Sequence, residues 1–216
     1  MVLGEGYNAN VYIIIGNNSY AVIDAGLPEN YEVIKDALTE LDIENKNGFL
    51  ILTHMHYDHS GAANKLARKF GLKIIAHKAE QKYLERGDAF HTAAILFGTD
   101  KIDPIKITKT VKNDESLKLG NINLEIISTP GHTVGSICIY VPQRKILISG
   151  DTVFANGAFG RTDLPTGNIK DLRRSLQKLR KLKINILLPG HGNYVKTNAE
   201  EHVAMASSFL EQVDID

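Results

Sequence analysis

The sequence predicts an α+β fold in which β-sheet layers lie inside and helices outside. Three observations predict it. Strand-like runs and helical periodicities follow one another as β, α, β, α in each half of the chain, a strand-rich block occupies the middle, and the alternation is too irregular for a doubly wound parallel sheet. The 216 residues are 43% hydrophobic, with 25 Lys+Arg balancing 25 Asp+Glu. That composition suits one sizeable core, so residues 1–216 are expected to form a single domain. It excludes a disordered chain, and zero net charge gives no overall basic field for nucleic acid or an anionic membrane.

The β-branched runs Val11 to Ile15 and Ala21 to Asp24 flank the turn-prone Gly16-Asn17-Asn18-Ser19 and read as a hairpin. After Pro28 and Glu29, the residues Val33, Ile34, Ala37, Leu38 and Leu41 recur at helical spacing. Phe49 to Leu52 reads as a short buried strand, and a helix from about Ser60 to Phe70 follows. Lys73 to Ala76 is a further strand, Lys78 to Arg86 a helix, and Gly87 to Asp103 a surface insertion. From Thr108 to Ser149 the pattern is antiparallel β, with strands Leu117 to Leu119, Ile122 to Ser128, Ser136 to Val141 and Lys145 to Ser149. A Gly- and Asn-rich loop spans Asp151 to Gly167. A helix from Ile169 to Lys181, a buried strand Ile186 to Pro189 and a helix near Ala199 to Val213 complete the chain.

Cys138 is the one cysteine, which rules out an intramolecular disulfide framework and a cysteine-based zinc cluster. No run approaches the roughly 20 apolar residues of a membrane span, and the N-terminus lacks a basic leader pattern. A cytoplasmic, soluble protein without membrane partners is expected.

His54, His56, Asp58 and His59 form H-x-H-x-D-H between a strand and a helix. With eight His and 13 Asp in 216 residues, that pattern arises by chance about 6 times in 10,000 chains of this composition. Residues two apart in extended chain point the same way, so His54 and His56 can reach one metal ion while the turn brings Asp58 and His59 toward a second. His132 in TPGHT, Asp151 in SGDT and His191 in PGHG each follow an expected strand and a glycine. Imidazole and carboxylate donors suit zinc, iron or manganese, and seven ligands suffice for two ions if one carboxylate bridges them.

The run THMHYDHSGA, followed by TPGHT, GDT and GHG, resembles the metallo-β-lactamase superfamily, and within it the glyoxalase II-like (hydroxyacylglutathione hydrolase-like) branch. The resemblance covers almost the whole chain. It implies a four-layer αββα sandwich with the metals at one edge between the sheets. By resemblance, His54, His56 and His132 hold the first ion, Asp58, His59 and His191 the second, and Asp151 bridges them. The full set of seven speaks against a true β-lactamase. GRTD at Gly160 to Asp163 resembles a stretch found in short glyoxalase II-like proteins and in persulfide dioxygenases. Full-length glyoxalase II has a further C-terminal helical region that binds glutathione, which this sequence lacks, and Asp163 and Asn193 stand where that family places tyrosines. The pocket is therefore expected to be open on one side, where a second copy of the chain could complete it.

The expected chemistry is hydrolysis of a small thioester or related ester by a hydroxide bridging two divalent ions, zinc first, with iron or manganese as alternatives. Asp58 and Asp151 would orient the hydroxide. A thiolate leaves without a strong proton donor, and no extra general acid accompanies the motif, which favours a thioester over an amide. The alternatives are an iron persulfide dioxygenase using a single ion at His54, His132 and Asp151, a nucleic-acid phosphodiesterase on the same site, and a non-catalytic binding module. Lys170, Arg173, Arg174, Lys178, Arg180, Lys181 and Lys183 could meet phosphates, yet Leu172, Leu176, Leu179 and Leu182 make this an amphipathic helix with a solvated basic face. Nucleic acid is thus the less favoured partner. Arg161 is balanced between binding an anionic substrate and a loop salt bridge. Asp163 is assigned to loop hydrogen bonding, His77, His91 and His202 to ordinary structural roles, and Cys138 to the core. Phe154, Phe159 and Tyr57 could wall the pocket or fill the loop.

Overall fold

Two five-stranded sheets face each other through a dry apolar layer, and each is covered by helices on its other side. This is the metallo-β-lactamase fold, the four-layer αββα sandwich. The structure is a computed structural model, and it describes residues 1–41, 43, 45–112 and 114–213. The first sheet has the order β1 (Tyr12–Ile15), β2 (Ser19–Ile23), β3 (Asn47–Ile51), β4 (Lys73–His77), β5 (Lys109–Val111), with β1 and β2 antiparallel and the rest parallel. The second has the order β10 (Ile186–Pro189), β9 (Ile146–Gly150), β8 (Ile137–Val141), β7 (Ile122–Ser128), β6 (Glu115–Leu119). Here only β10 and β9 run parallel.

The period of two along each strand distributes the apolar residues between layers. Ala21 and Ile23 of β2, Ile51 of β3 and Ile75 of β4 point into the inter-sheet core, where they meet Ile126, Ile137, Ile139 and Ile148. The alternate residues Val22, Leu50, Ile74 and Ala76 pack outward against Ile34 and Leu38 of α1 (Tyr31–Thr39) and Leu66 of α3 (Ala63–Phe70). In the other half, Cys138, Tyr140 and Leu147 pack on Leu172, Leu176 and Leu179 of α5 (Ile169–Leu179) and on Val203 and Leu210 of α6 (Ala199–Gln212). Strands buried on both faces read as continuous apolar runs, which is why β8 and β9 stood out in the sequence.

Three expectations are corrected. The helix expected from Ser60 starts at Tyr57 and is broken into α2 (Tyr57–Ser60) and α3. The carbonyls of Asp58 and His59 accept from the amides of Ala9 and Ala25, and Ala62 N–H donates to Gly26, so the helical ladder is diverted at the break. The helix expected from Lys78 begins at Gln81 as α4 (Gln81–Arg86), because Lys78 N–H donates to Val111 in the adjacent strand. The block from Thr108 is not all one antiparallel sheet, since β5 pairs parallel with β4 of the first sheet. Among the described residues, no helix is long and apolar enough to cross a membrane.

Candidate metal centre

The site forms at the edge where β2, β3, β7, β9 and β10 end. Thr53 to His59 continues from β3, His132 follows β7, and Asp151 and His191 follow the parallel neighbours β9 and β10, whose ends are in register at Gly150 and Pro189. Gly190 is required for the approach of the last two: a Cβ there would lie 2.1 Å from Asp151 Oδ1 and 2.8 Å from His59 Cε1. Gly150, at φ +48°, turns the chain so that its Cα side faces Thr53, whose side chain a Cβ would meet at 2.7 Å.

All seven residues expected from the sequence meet in three overlapping groups. His54, His56 and His132 form one, His54, His59 and Asp151 another, and Asp58, His59 and His191 the third, with donor atoms in each group within 4.8 Å of one another. His54 Nε2 lies 3.1 Å from His56 Nδ1, which lies 2.8 Å from His132 Nε2. On the other side, His191 Nε2 is 3.2 Å from His59 Nε2 and 3.1 Å from Asp58 Oδ2. Asp151 reaches both clusters, with Oδ1 3.3 Å from His59 Nε2 and Oδ2 3.6 Å from His132 Nε2 and 3.5 Å from His191 Nε2.

These distances test whether the donors fit metal ions. Three imidazole nitrogens converge around one point in a buried space, and lone pairs so placed repel unless a cation lies between them. The ligands of a tetrahedral zinc ion with bonds of about 2.0–2.1 Å stand about 3.3 Å apart, close to the spacing found. His132 Nδ1 lies 2.7 Å from the Arg161 carbonyl, and His59 Nδ1 lies 2.8 Å from Asp24 Oδ2. A proton on each Nδ1 makes both good donors and leaves each Nε2 lone pair facing the cleft. Asp151 Oδ1, which faces this cluster, is buried with no hydrogen-bond partner. The donor set therefore fits divalent cations.

The electrostatics point the same way. Burial lowers the pKa of His54, reinforced by the neighbouring histidines, and lowers that of His56 to about 3. Burial also lowers His132, against the pull of Asp151. Neutral imidazoles are the form that binds metal. The second group differs: against burial, Asp151, Asp24 and Asp58 raise the pKa of His59, and Asp58 and Asp151 raise that of His191. These two imidazoles carry protons that hold the Asp151 and Asp58 carboxyls below their ordinary value and that a bound cation would have to displace.

Asp24 was not singled out from the sequence. It is buried at φ +62°, accepts from Thr53 N–H at 2.7 Å and Thr53 Oγ1 at 2.8 Å, and orients His59. The one signal was a carboxylate ending a wholly apolar strand. Asn10 was also missed; its backbone N–H donates to Gly190 at 2.7 Å and its side chain to Pro189 and Gly192, which fixes the loop bearing His191.

The cleft over these residues has a volume of about 620 Å³ and is also walled by Tyr7, Leu96, Phe97, Phe154, Arg161 and Leu164. The expected surface insertion, Gly87 to Asp103, is therefore corrected: it supplies one wall, since Thr92 C=O accepts from Tyr57 N–H and seats the segment against the ligand-bearing loop. Of the candidate wall aromatics, Phe154 lines the cleft, Phe159 packs with the helices of the second half, and Tyr57 lies outside. Arg161 stands at the rim with its guanidinium on Asp163, at 2.7 Å from Nε and 2.5 Å from Nη2. His77, His91 and His202 lie apart from the centre. His202 accepts from Asn156 N–H, and His91 pairs with Asp88. Cys138 is buried in the core.

The profile described as Metallo-beta-lactamase superfamily matches residues 4–191. A probable metallo-hydrolase of Methanocaldococcus jannaschii is 38% identical over 88% of this chain and 90% of its own. The hydroxyacylglutathione hydrolase GloC of Haemophilus influenzae is 35% identical over 84% of each chain. Among solved structures, the BLEG-1 B3 metallo-beta-lactamase superposes with a TM-score of 0.81 at 27% identity, over 96% of each chain.

Proposed function

Since the chain belongs to the metallo-beta-lactamase superfamily, with relatives that include a hydroxyacylglutathione hydrolase, we propose that it hydrolyses small thioesters at a dinuclear centre. The observation that carries this reading is the composition of the cleft. Apart from the candidate ligands, the titratable side chains on its wall among the described residues are Tyr7 and Arg161, so no further imidazole or carboxyl among them stands ready to protonate a leaving group. A thiol of pKa about 8.5 departs as thiolate without that help, whereas an amine does not.

His54, His56 and His132 would hold one ion, Asp58, His59 and His191 the other, with Asp151 shared. Bound there, two divalent ions, zinc in our reading with iron or manganese able to use the same donors, would supply acidification of water toward a pKa of about 7 and stabilisation of oxyanion charge. Asp58, half-buried at the cleft floor, accepts a hydrogen bond from the attacking water and aims its lone pair at the thioester carbon. Addition of water across the acyl–sulfur bond yields a carboxylic acid and a thiol. Arg161, at the rim, is held on Asp163, so an anionic part of the substrate would meet it only by displacing that pair.

Elemental analysis of protein purified without chelator and with dioxygen excluded, followed by a panel of thioesters, esters and a β-lactam, tests the reading. About two ions per chain with preferential thioester turnover is expected, and Asp58→Ala should lower turnover by at least 10³-fold while the fold persists. A single iron per chain with oxygen uptake on a persulfide would replace this reading with the dioxygenase; preferential β-lactam turnover would also overturn it.

A further inference from the structure

Building on the thioesterase reading, we propose that an aliphatic acyl chain of the substrate lies in the groove formed by Phe90, Ala93, Ile95, Leu96, Leu164 and Pro165. This groove, about 440 Å³, adjoins the metal cleft and shares Ala93, Leu96 and Leu164 with it. A substrate whose carbonyl stands over Asp58 and Asp151 would reach the groove by passing over these three shared apolar residues.

Apart from Asp163, the groove wall is apolar where solvent reaches it. Leu96 is 60% exposed, Phe90 56% and Ile95 46%, three large apolar side chains within seven residues. Such clusters on a soluble surface mark a place where apolar matter binds. The segment is held firmly in this arrangement. Thr92 N–H and Oγ1 bond to the Asp88 carbonyl, Tyr83 stacks on His91 at 4.2 Å, and Ala93 is held at φ +56°, a backbone region that side chains other than glycine seldom enter. Buried Ala93 and Ala94 anchor the turn, which leaves Ile95 and Leu96 facing out. Asp163 is the charged residue on the groove wall among the described residues, and Arg161 neutralises it. An acyl group bearing its own charge would find no counter-ion here, whereas a methylene chain finds continuous apolar surface.

The test uses the metal-loaded enzyme and N-acetylcysteamine thioesters from acetyl to octanoyl. kcat/KM should rise at least tenfold from acetyl to octanoyl. In Leu96→Ser and Phe90→Ser that ratio should fall toward one, while Val33→Ser, an exposed apolar residue on α1, should keep the wild-type ratio. Calorimetry with butanoate and octanoate gives a readout independent of turnover. A fully buried methylene is worth about fourfold in affinity and a half-exposed one about twofold, so octanoate should bind roughly 16-fold tighter. Equal affinities, or a flat chain-length profile with acetyl thioester still turned over, overturn the groove assignment and leave the hydrolase reading standing. Chain-length-dependent binding with no thioester turnover does the reverse. If the Ser variants change the oligomeric state and the profile is flat, the groove is a self-association surface and the proposal fails.

Discussion

Asp24 shows how one buried carboxylate can govern a cluster of candidate metal ligands to which it does not itself belong. Both its oxygens are engaged, Oδ1 by Thr53 N–H and Oδ2 by Thr53 Oγ1 and His59 Nδ1, so it fixes the His59 ring and the start of the ligand-bearing loop together. Asp24→Asn is the informative change, because Asn tolerates the positive φ and can still accept from Thr53 N–H. Its amide nitrogen can no longer accept the His59 proton. Partners behind metal ligands are typically worth 10- to 100-fold in affinity, so competitive chelator titration of the variant should show zinc held weaker by that range. Unchanged affinity would mean that His59 is oriented by packing alone. The seven candidate ligands were legible in the sequence because they are His and Asp in segments that follow strands, and four of them fall within six residues. Asp24 was not, because its role comes from a partner 35 residues away and no local spacing records it.

The short helix α4 is tied to the loop carrying His132 by Glu80, which lies just before it. Thr133 Oγ1 and Gly135 N–H donate to Glu80 Oε1, while Oε2 is buried without a partner. Burial pushes this carboxyl from 4.5 up to about 7, against the two hydrogen bonds. The folded state thus keeps a proton that the unfolded chain has already released. Stability from this group is fully present below about pH 4.5 and is lost as pH rises through about 7. A gap of that size is worth about 3 kcal/mol. Glu80→Gln keeps an acceptor for Thr133 and cannot ionise, so its stability relative to wild type should increase by about that amount between pH 4.5 and pH 8 in denaturant titrations. A pH-independent difference would show that Glu80 does not titrate in that window. Elements of this kind explain what the sequence left hidden. The inner strands were visible as continuous apolar runs and α5 through helical spacing, whereas the break between α2 and α3, the placement of β5 in the first sheet and the seating of Gly87 to Asp103 all depend on backbone hydrogen bonds to distant segments such as those to Ala25, Ile74 and Thr92.

At the scale of the molecule, the candidate ligands are divided between the two halves of the sandwich. His54 to His59 extend from the first sheet, while His132, Asp151 and His191 extend from the second. The inter-sheet core of isoleucines and leucines is apolar and non-directional, so it holds the sheets face to face but does little to set their alignment at the edge. Metal ions bound across that edge would fix the alignment and would be bound by the folded state only. Ligand binding to the native state alone stabilises by about 4 kcal/mol when the free ion is a thousandfold above its dissociation constant. For a chain of this length, each kcal/mol moves the melting temperature by roughly 2–4 °C, so chelation should lower Tm by roughly 8–16 °C, and added zinc should restore it. His191→Ala, which removes a ligand contributed by β10 of the second sheet, should shrink the chelator-induced shift because one ion is already weakly held. Differential scanning calorimetry with and without chelator, on samples whose metal content is verified by elemental analysis, measures both quantities. A Tm unaffected by complete metal removal would mean that the inter-sheet core, with the hydrogen bonds that join the halves at this edge from Asn10 to Gly190 and from Thr133 to Glu80, aligns the sheets, and that the cluster of donors is preorganised by the fold before any ion arrives.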